Sequence, residues 1–232
     1  MSSVLEADLE NEAAAPRREV IHGDAVGWLA LHEGQREASV ITSIPDVSEV
    51  GTSLGAWLEL FAAAARACLA AAAADGLCVF FQTDIKREGR WISKAGLVLR
   101  AAAELEVPLL FHKIVCRRPP GSIVAGRPGF SHLLGFSREA IDDPGRATAD
   151  VLPDLGDMPW SHSMGTRAAE AAVLAVRRLA PTTRRVIAPF CGIGTALAVA
   201  NAYGLDAVGI ERNRKRAAAA RRFSWTRGGA PT

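Results

Sequence analysis

RRVIAPFCGIGTALAVANAYGLDAVGIERN, residues 184–213, is the stretch that decides the fold. Val186 and Ile187 run through Ala188 and Pro189 into Phe190-Cys191-Gly192-Ile193-Gly194-Thr195, and then directly into good helix formers. A second apolar run over 206–210 follows Gly204 and ends in Glu211. Strand, glycine turn, helix, strand and terminal acid make a β-α-β unit. Glycine at 192 and 194 lets backbone approach a ligand where a Cβ would collide. Glu211, 17 residues after Gly194, stands where an acid can accept both hydroxyls of a ribose. The unit therefore points to a nucleoside-containing cofactor. A dinucleotide site needs a third glycine at 197, and Leu197 stands there, which argues against NAD.

Outward from this unit, strands are predicted over 19–22, 38–44, 77–83, 109–117 and 131–137, besides 185–189 and 206–210. Helices are predicted after Gly23-Asp24, around Trp28 and Leu29, and over 54–74, 93–105, 165–179, 194–203 and 213–222. The run LCVFFQT at 77–83 is apolar almost throughout, the mark of a strand buried on both faces. The runs 109–117 and 131–137 flank a Gly- and Pro-rich loop and read as an antiparallel pair. Residues 139–160, polar and carrying three prolines, read as loop. The expected fold class is α/β, a mostly parallel sheet with an antiparallel edge pair and helices on both faces.

The whole chain fits that class. It has 232 residues, 49% apolar and 22% charged, which excludes a disordered, collagenous or coiled-coil protein. Residues 1–17 read as a flexible acidic tail, 18–223 as a single domain and 224–232 as a C-terminal tail. Four cysteines without a CxxC pair and five scattered histidines predict neither disulfides nor a metal. The apolar stretch 54–74 is mostly alanine and is broken by Glu59 and Arg66, so it reads as a buried helix rather than a membrane span. The start lacks the apolar core of a signal peptide, and a cytoplasmic protein with no membrane partner is expected. Residues 1–60 carry a net −8 and residues 205–232 a net +5. With 23 arginines to four lysines the cations suit phosphate, so the basic end is compatible with nucleic acid.

PFCGIGT…GIER resembles the cofactor motif of the S-adenosylmethionine-dependent methyltransferases, in particular the amino-methylating enzymes of DNA and RNA with their Asp-Pro-Phe-x-Gly-x-Gly-Thr string. Ala188 departs from it, standing where those enzymes carry aspartate. The resemblance implies S-adenosyl-L-methionine as cofactor, with Ser43, Phe190, Cys191, Gly192, Gly194, Thr195 and Glu211 around it. Val20-Ile21-His22-Gly23-Asp24-Ala25 resembles the third strand and its turn, so Asp24 and Ala25 would meet the adenine. Residues 39–45 resemble the fourth strand, 77–83 the fifth, and the pair within 109–137 the sixth and seventh. This implies a Rossmann-like class I methyltransferase sheet in circularly permuted order over about 19–222. The turn 156–166 would lie beside the cofactor's carboxylate, with Ser163, Met164, Gly165 and Thr166 opening a helix whose free N–H groups favour an anion.

Ser43-Ile44-Pro45-Asp46 resembles the Asp/Asn/Ser-Pro-Pro-aromatic catalytic loop of the same enzymes. An exocyclic amine is a poor nucleophile because its lone pair is delocalised into the ring. In this chain the Ser43 hydroxyl and the Ile44 carbonyl would hold its N–H groups, and Pro45 would stiffen the loop. Asp46 takes the place of the stacking aromatic. Either Trp160, Phe130 or Trp91 supplies a ring in its stead, or Asp46 accepts the departing proton, or the substrate is not a base, or Asp46 caps a helix through Asp46-Val47-Ser48-Glu49. Arg127, Phe130 and Trp160 are the expected substrate contacts. The resemblance implies methyl transfer to an amine of a nucleic-acid base, with RNA slightly ahead of DNA because no separate target-recognition domain is visible. The alternatives are a small-molecule or peptide methyltransferase, and a nucleic-acid-binding protein on a fold that has lost catalysis.

Overall fold

The computed structural model describes residues 15–228, and among them eight strands join in one sheet. Its spatial order is β1 (Arg18–His22), β10 (Asp206–Glu211), β9 (Arg185–Pro189), β2 (Ala38–Thr42), β3 (Cys78–Gln82), β7 (Phe130–Phe136), β6 (Leu109–Cys116) and β8 (Val151–Leu152). The first five run parallel. β7 runs antiparallel to both β3 and β6, giving the expected antiparallel pair, and β8 adds parallel to β6 outside it.

Side chains alternate between two cores. Val79 and Phe81 of β3 and Val186 and Ala188 of β9 face α5 (Thr166–Leu179), α6 (Thr195–Ala202) and α7 (Arg214–Arg222). Cys78, Phe80 and Ile187 face α1 (Ala25–Ala30), α3 (Leu54–Ala71) and α4 (Lys94–Glu104). Both β2 and β3 are buried at every residue, as strands covered on both faces must be. Among the described helices α3 alone has the length and apolarity to cross a membrane. Here Trp57, Phe61 and Leu69 bury it against the sheet.

Two elements were not legible in the sequence. β8 lies in the stretch expected to be loop, and buried Lys113 explains it. Its ammonium donates to the carbonyls of Thr148 (3.1 Å) and Ala149 (2.8 Å), holding that segment beside β6. The second is a separate hairpin, β4 (Ile85–Arg87) and β5 (Arg90–Ile92). Glu88 and Gly89 turn it with φ of 50° and 72°, the two left-handed residues of a type I′ turn, without the usual Asn or Asp before the glycine.

Both tail assignments need correction. Trp225 is buried and stacks against Tyr203 at 6.4 Å, so the domain extends past 223 because a large ring there completes the core. At the other end Arg17 already pairs, its carbonyl accepting from Ala207 N–H at 2.9 Å. The rest of the predicted N-terminal tail, residues 1–14, lies outside the described residues.

Asp84 ties the hairpin to the sheet. This buried carboxylate accepts from Trp91 Nε1 (2.8 Å) and from the backbone N–H groups of Lys94 (2.7 Å) and Ala95 (3.2 Å), and lies 3.3 Å from His132 Nε2. Burial alone would raise its pKa, but the hydrogen bonds from His132, Trp91 and Ala95 outweigh burial and lower it. A depressed carboxylate stabilises the fold above its unfolded pKa and loses that contribution as pH falls. Asp84→Asn should cost about 1–3 kcal/mol at pH 7, and the loss of stability on acidification below about pH 4 should be shallower in the variant than in the parent. Urea unfolding of both proteins at pH 7 and pH 3 measures this.

Candidate active site

The carboxyl ends of the parallel strands open into a cleft of about 330 Å³. Its floor is the turn from β9 to α6. Phe190 takes the left-handed conformation at φ 59°, a strained state for a bulky residue, and Gly192 follows at φ 58°. Gly194 has φ 90°, and a Cβ there would press on the Ala220 backbone at 3.0 Å. Gly194 thus seats the turn against α7 and does not itself line the cleft, whereas Phe190, Cys191, Gly192, Ile193 and Thr195 do.

Glu211 closes this turn from the end of β10. Oε2 accepts from Gly192 N–H at 3.1 Å. Oε1 accepts from Asn213 N–H at 2.7 Å and from Arg216 Nη2 at 2.8 Å and Nε at 3.0 Å. The Arg216 guanidinium lies over the Trp160 ring, 5.0 Å from its centroid. Beside Glu211, burial and that carboxylate push the Cys191 thiol up to about 12. Gly23, Asp24, Ala25 and Val26, next to Glu211 at the end of β1, also line the cleft. Asp24 caps α1, accepting from Gly27 N–H at 2.6 Å through Oδ2. Thr195 Oγ1 and Ser163 Oγ are buried on the cleft's lining without a partner among the described residues.

Ser43-Ile44-Pro45-Asp46 lies between this cleft and a smaller cavity of about 40 Å³. Ser43, Glu49, His162 and Ser163 line both spaces. The three residues after Ser43 are each held. Ile44 is buried in the core, and the Pro45 carbonyl accepts from Trp57 Nε1 at 3.0 Å. The N–H of Asp46 donates to Glu49 Oε2 at 2.9 Å, opening the short helix α2 (Val47–Val50). The Asp46 carboxylate meets buried Lys94 Nζ at 2.6 Å, with Arg127 Nη2 at 3.9 Å.

Several expectations are corrected here. A carboxylate clamped by an ammonium at 2.6 Å does not fit the reading of Asp46 as proton acceptor, and it lines only the smaller cavity, while its capping box with Glu49 fits the reading as a helix cap. The α5 amides are not open to an anion. Thr166 N–H donates to the Asp157 carbonyl (2.9 Å), and those of Arg167 (3.1 Å) and Ala168 (3.3 Å) to Leu155. Gly165 and Thr166 accordingly lie outside the cleft, while Ser163 and Met164 line it. Phe130 lines neither space, being engaged with Trp91 at 6.4 Å and His132 at 5.3 Å. Trp160 belongs to the cleft, where its ring covers Gly192. Arg127 does line the smaller cavity.

Sequence reasoning missed Arg117, Phe81 and His162, which surround that cavity beside Lys94, and Arg216 in the cleft. Arg216 carried one usable signal, its position five residues beyond Glu211 on a basic helix.

No protein-family model matches the sequence, and no curated protein matches it. Solved structures do. A presumed DNA modification methylase of Thermus thermophilus, in complex with S-adenosyl-L-methionine, is 22% identical over 88% of this chain and 91% of its own, with a TM-score of 0.62. The cytosine-N4-specific PvuII DNA methyltransferase is 15% identical over 89% of this chain and 86% of its own, with a TM-score of 0.64. The M1.HpyAVI–SAM complex is 14% identical over 88% and 98%, with a TM-score of 0.55. These likenesses establish the fold: the chain shares the mostly parallel α/β architecture of these three structures.

The pinned loop generates a prediction. Trp57→Phe keeps the buried ring but leaves the Pro45 carbonyl unpaired, which should cost about 1–3 kcal/mol. Hydrogen exchange at Ile44 and Asp46 should speed up more than at the centre of β3. Equal changes at both places would show that Trp57 supports the core generally and not this loop.

Proposed function

We propose that the chain is an S-adenosylmethionine-dependent methyltransferase that methylates an amine of a nucleic-acid base. The observation that carries this reading is the meeting of two spaces at Ser43. One is a cleft built from a glycine turn and a strand-terminal acid; the other is a cationic cavity facing outward. The cleft's chemistry suits the cofactor. Glu211 offers a buried carboxylate for ribose hydroxyls, and Asp24 keeps one carboxylate oxygen beyond its cap for an adenine amine. Ser163 and Thr195 offer hydroxyls that lack partners among the described residues. Ribose binding at Glu211 requires Arg216 to yield part of its grip on Oε1.

When bound, S-adenosylmethionine supplies an electrophilic methyl group on its sulfonium. The remaining work belongs to this chain. The Ser43 hydroxyl and the Ile44 carbonyl accept N–H bonds from the amine and localise its lone pair. Trp57 and Glu49 hold the loop in place, and Asp46 acts as a positioning residue through Lys94. The circularly permuted reading accounts for the chain order, in which the glycine-turn strand β9 is central in the sheet yet late in the sequence.

An arginine-rich surface suits the phosphates of either nucleic acid. The similar solved structures named for a substrate act on DNA, which favours DNA. Radiolabelled methyl transfer to single-stranded RNA and DNA of one sequence decides between them. Incorporation into neither strand, with transfer to a small amine, would establish the small-molecule alternative.

Glu211→Ala should weaken S-adenosylmethionine binding about 10- to 150-fold in calorimetric titration, the loss of charge-assisted contacts worth ~1.5–3 kcal/mol. Ser43→Ala should leave that affinity unchanged while lowering turnover by about 10²-fold. Parent-like binding by Glu211→Ala would remove the ribose assignment.

A further inference from the structure

The methyl acceptor must approach Ser43 from the side opposite the cofactor cleft, and the cavity there is dominated by cations. Lys94, Arg117 and Arg127 line it against Asp46 and Glu49. Lys94 already neutralises Asp46. Glu49 commits Oε2 to the Asp46 N–H. The two arginines are left with little to hold. Half-buried Arg117 donates no side-chain hydrogen bond to any described residue. Arg127, 52% exposed, comes no nearer to Asp46 than 3.9 Å, beyond hydrogen-bond range. Burial, together with repulsion from Arg127 and Arg118, lowers the pKa of Arg117. The backbone nonetheless brings these charges together. The N–H groups of Arg117 (2.8 Å) and Arg118 (3.1 Å) both donate to the Gly129 carbonyl, closing the loop that carries Arg127.

Uncommitted guanidinium forks, held together by backbone against their own repulsion, suit a ligand with several anionic oxygens. We propose that this cavity is a phosphate site, in which Arg117 and Arg127 bind a phosphate group of the methyl acceptor while its amine lies at Ser43. The proposal rests on the methyl-transfer reading above. The phosphate can belong to a nucleic-acid strand or to a free nucleotide. In either case it replaces ring stacking at position 46 with anion recognition as the means of holding the acceptor.

The test uses the full chain and an R117M/R127M variant. The probes are a single-stranded hexanucleotide, the same strand with one neutral methylphosphonate at each linkage in turn, adenosine and cytidine 5′-monophosphates, and the matching nucleosides. In the parent, neutralising one particular linkage, or removing the monophosphate, should weaken binding about tenfold or more; the variant should bind weakly and ignore the change. Preference for the strand identifies the source as nucleic acid, and preference for a monophosphate as a free nucleotide. If the double variant does not fold, R117K/R127K, which keeps the charge and loses the forks, should lose most of the discrimination. Binding that ignores phosphate charge, or is the same in parent and variant, overturns the proposal, as does failure of the parent to bind any probe. Titrating both proteins with S-adenosylmethionine separates the two readings. Parent and variant should bind the cofactor equally, and arginine-dependent phosphate binding without cofactor binding would sink methyl transfer while leaving the phosphate site standing.

Discussion

A carboxylate buried to 5% exposure must find hydrogen-bond donors for its oxygens, and Glu211 finds them by drawing three elements together. Oε2 takes the Gly192 N–H and so fixes the strained turn after β9 against the end of β10. Oε1 takes the Asn213 amide and the side chain of Arg216, which orients α7. Arg216 in turn covers Trp160, and Trp160 covers Gly192. The wall of the cleft is thus a closed circuit with a charge at its centre. The left-handed Phe190 is tolerated only within such a circuit, because its strain must be offset by contacts that exist in no other arrangement.

The acceptor loop follows the same rule with different chemistry. Ser43 is the one polar side chain of its loop left facing both spaces without a hydrogen bond to a described residue, and its neighbours are all fixed. Trp57 holds a carbonyl, Glu49 an amide and Lys94 a carboxylate. Lys94 is itself placed by Asp84, which accepts its backbone N–H and anchors the hairpin through Trp91. A residue 41 positions away in sequence therefore sets the position of the loop by two hydrogen bonds and one buried lysine. Position 46 is filled by an ion pair with Lys94.

Period and punctuation in the sequence located nearly all of the sheet. The apolar runs of β2, β3, β9 and β10 have no competing reading, and Gly192 and Glu211, both legible in the sequence, line the cleft, while Gly194 seats its turn. The failures share a cause. β8 depends on a lysine 35 residues away, the fate of the α5 amides on the carbonyls of Leu155 and Asp157, and that of Asp46 on Lys94. Each is a long-range polar pairing, which leaves no local period to read. The C-terminal boundary failed differently, since a lone Trp225 after a charged helix resembles a surface residue until Tyr203 is seen beneath it.

Charge divides the two spaces that meet at Ser43. The cleft carries Asp24, Glu49 and Glu211 against Arg212 and Arg216, with Arg216 already bound to Glu211. It suits a cationic ligand, even with Ala188 where related motifs carry an acid. The smaller cavity carries Lys94, Arg117 and Arg127 against Asp46 and Glu49, and it suits an anionic one. Opposite charges in adjoining spaces also repel the wrong occupant of each, since like-charge contacts at low effective dielectric cost more than surface ones. A cationic and an anionic ligand would then each be drawn to one side of a neutral serine. Ser43 lines both spaces, so neither ligand would need to cross the other's field to reach it.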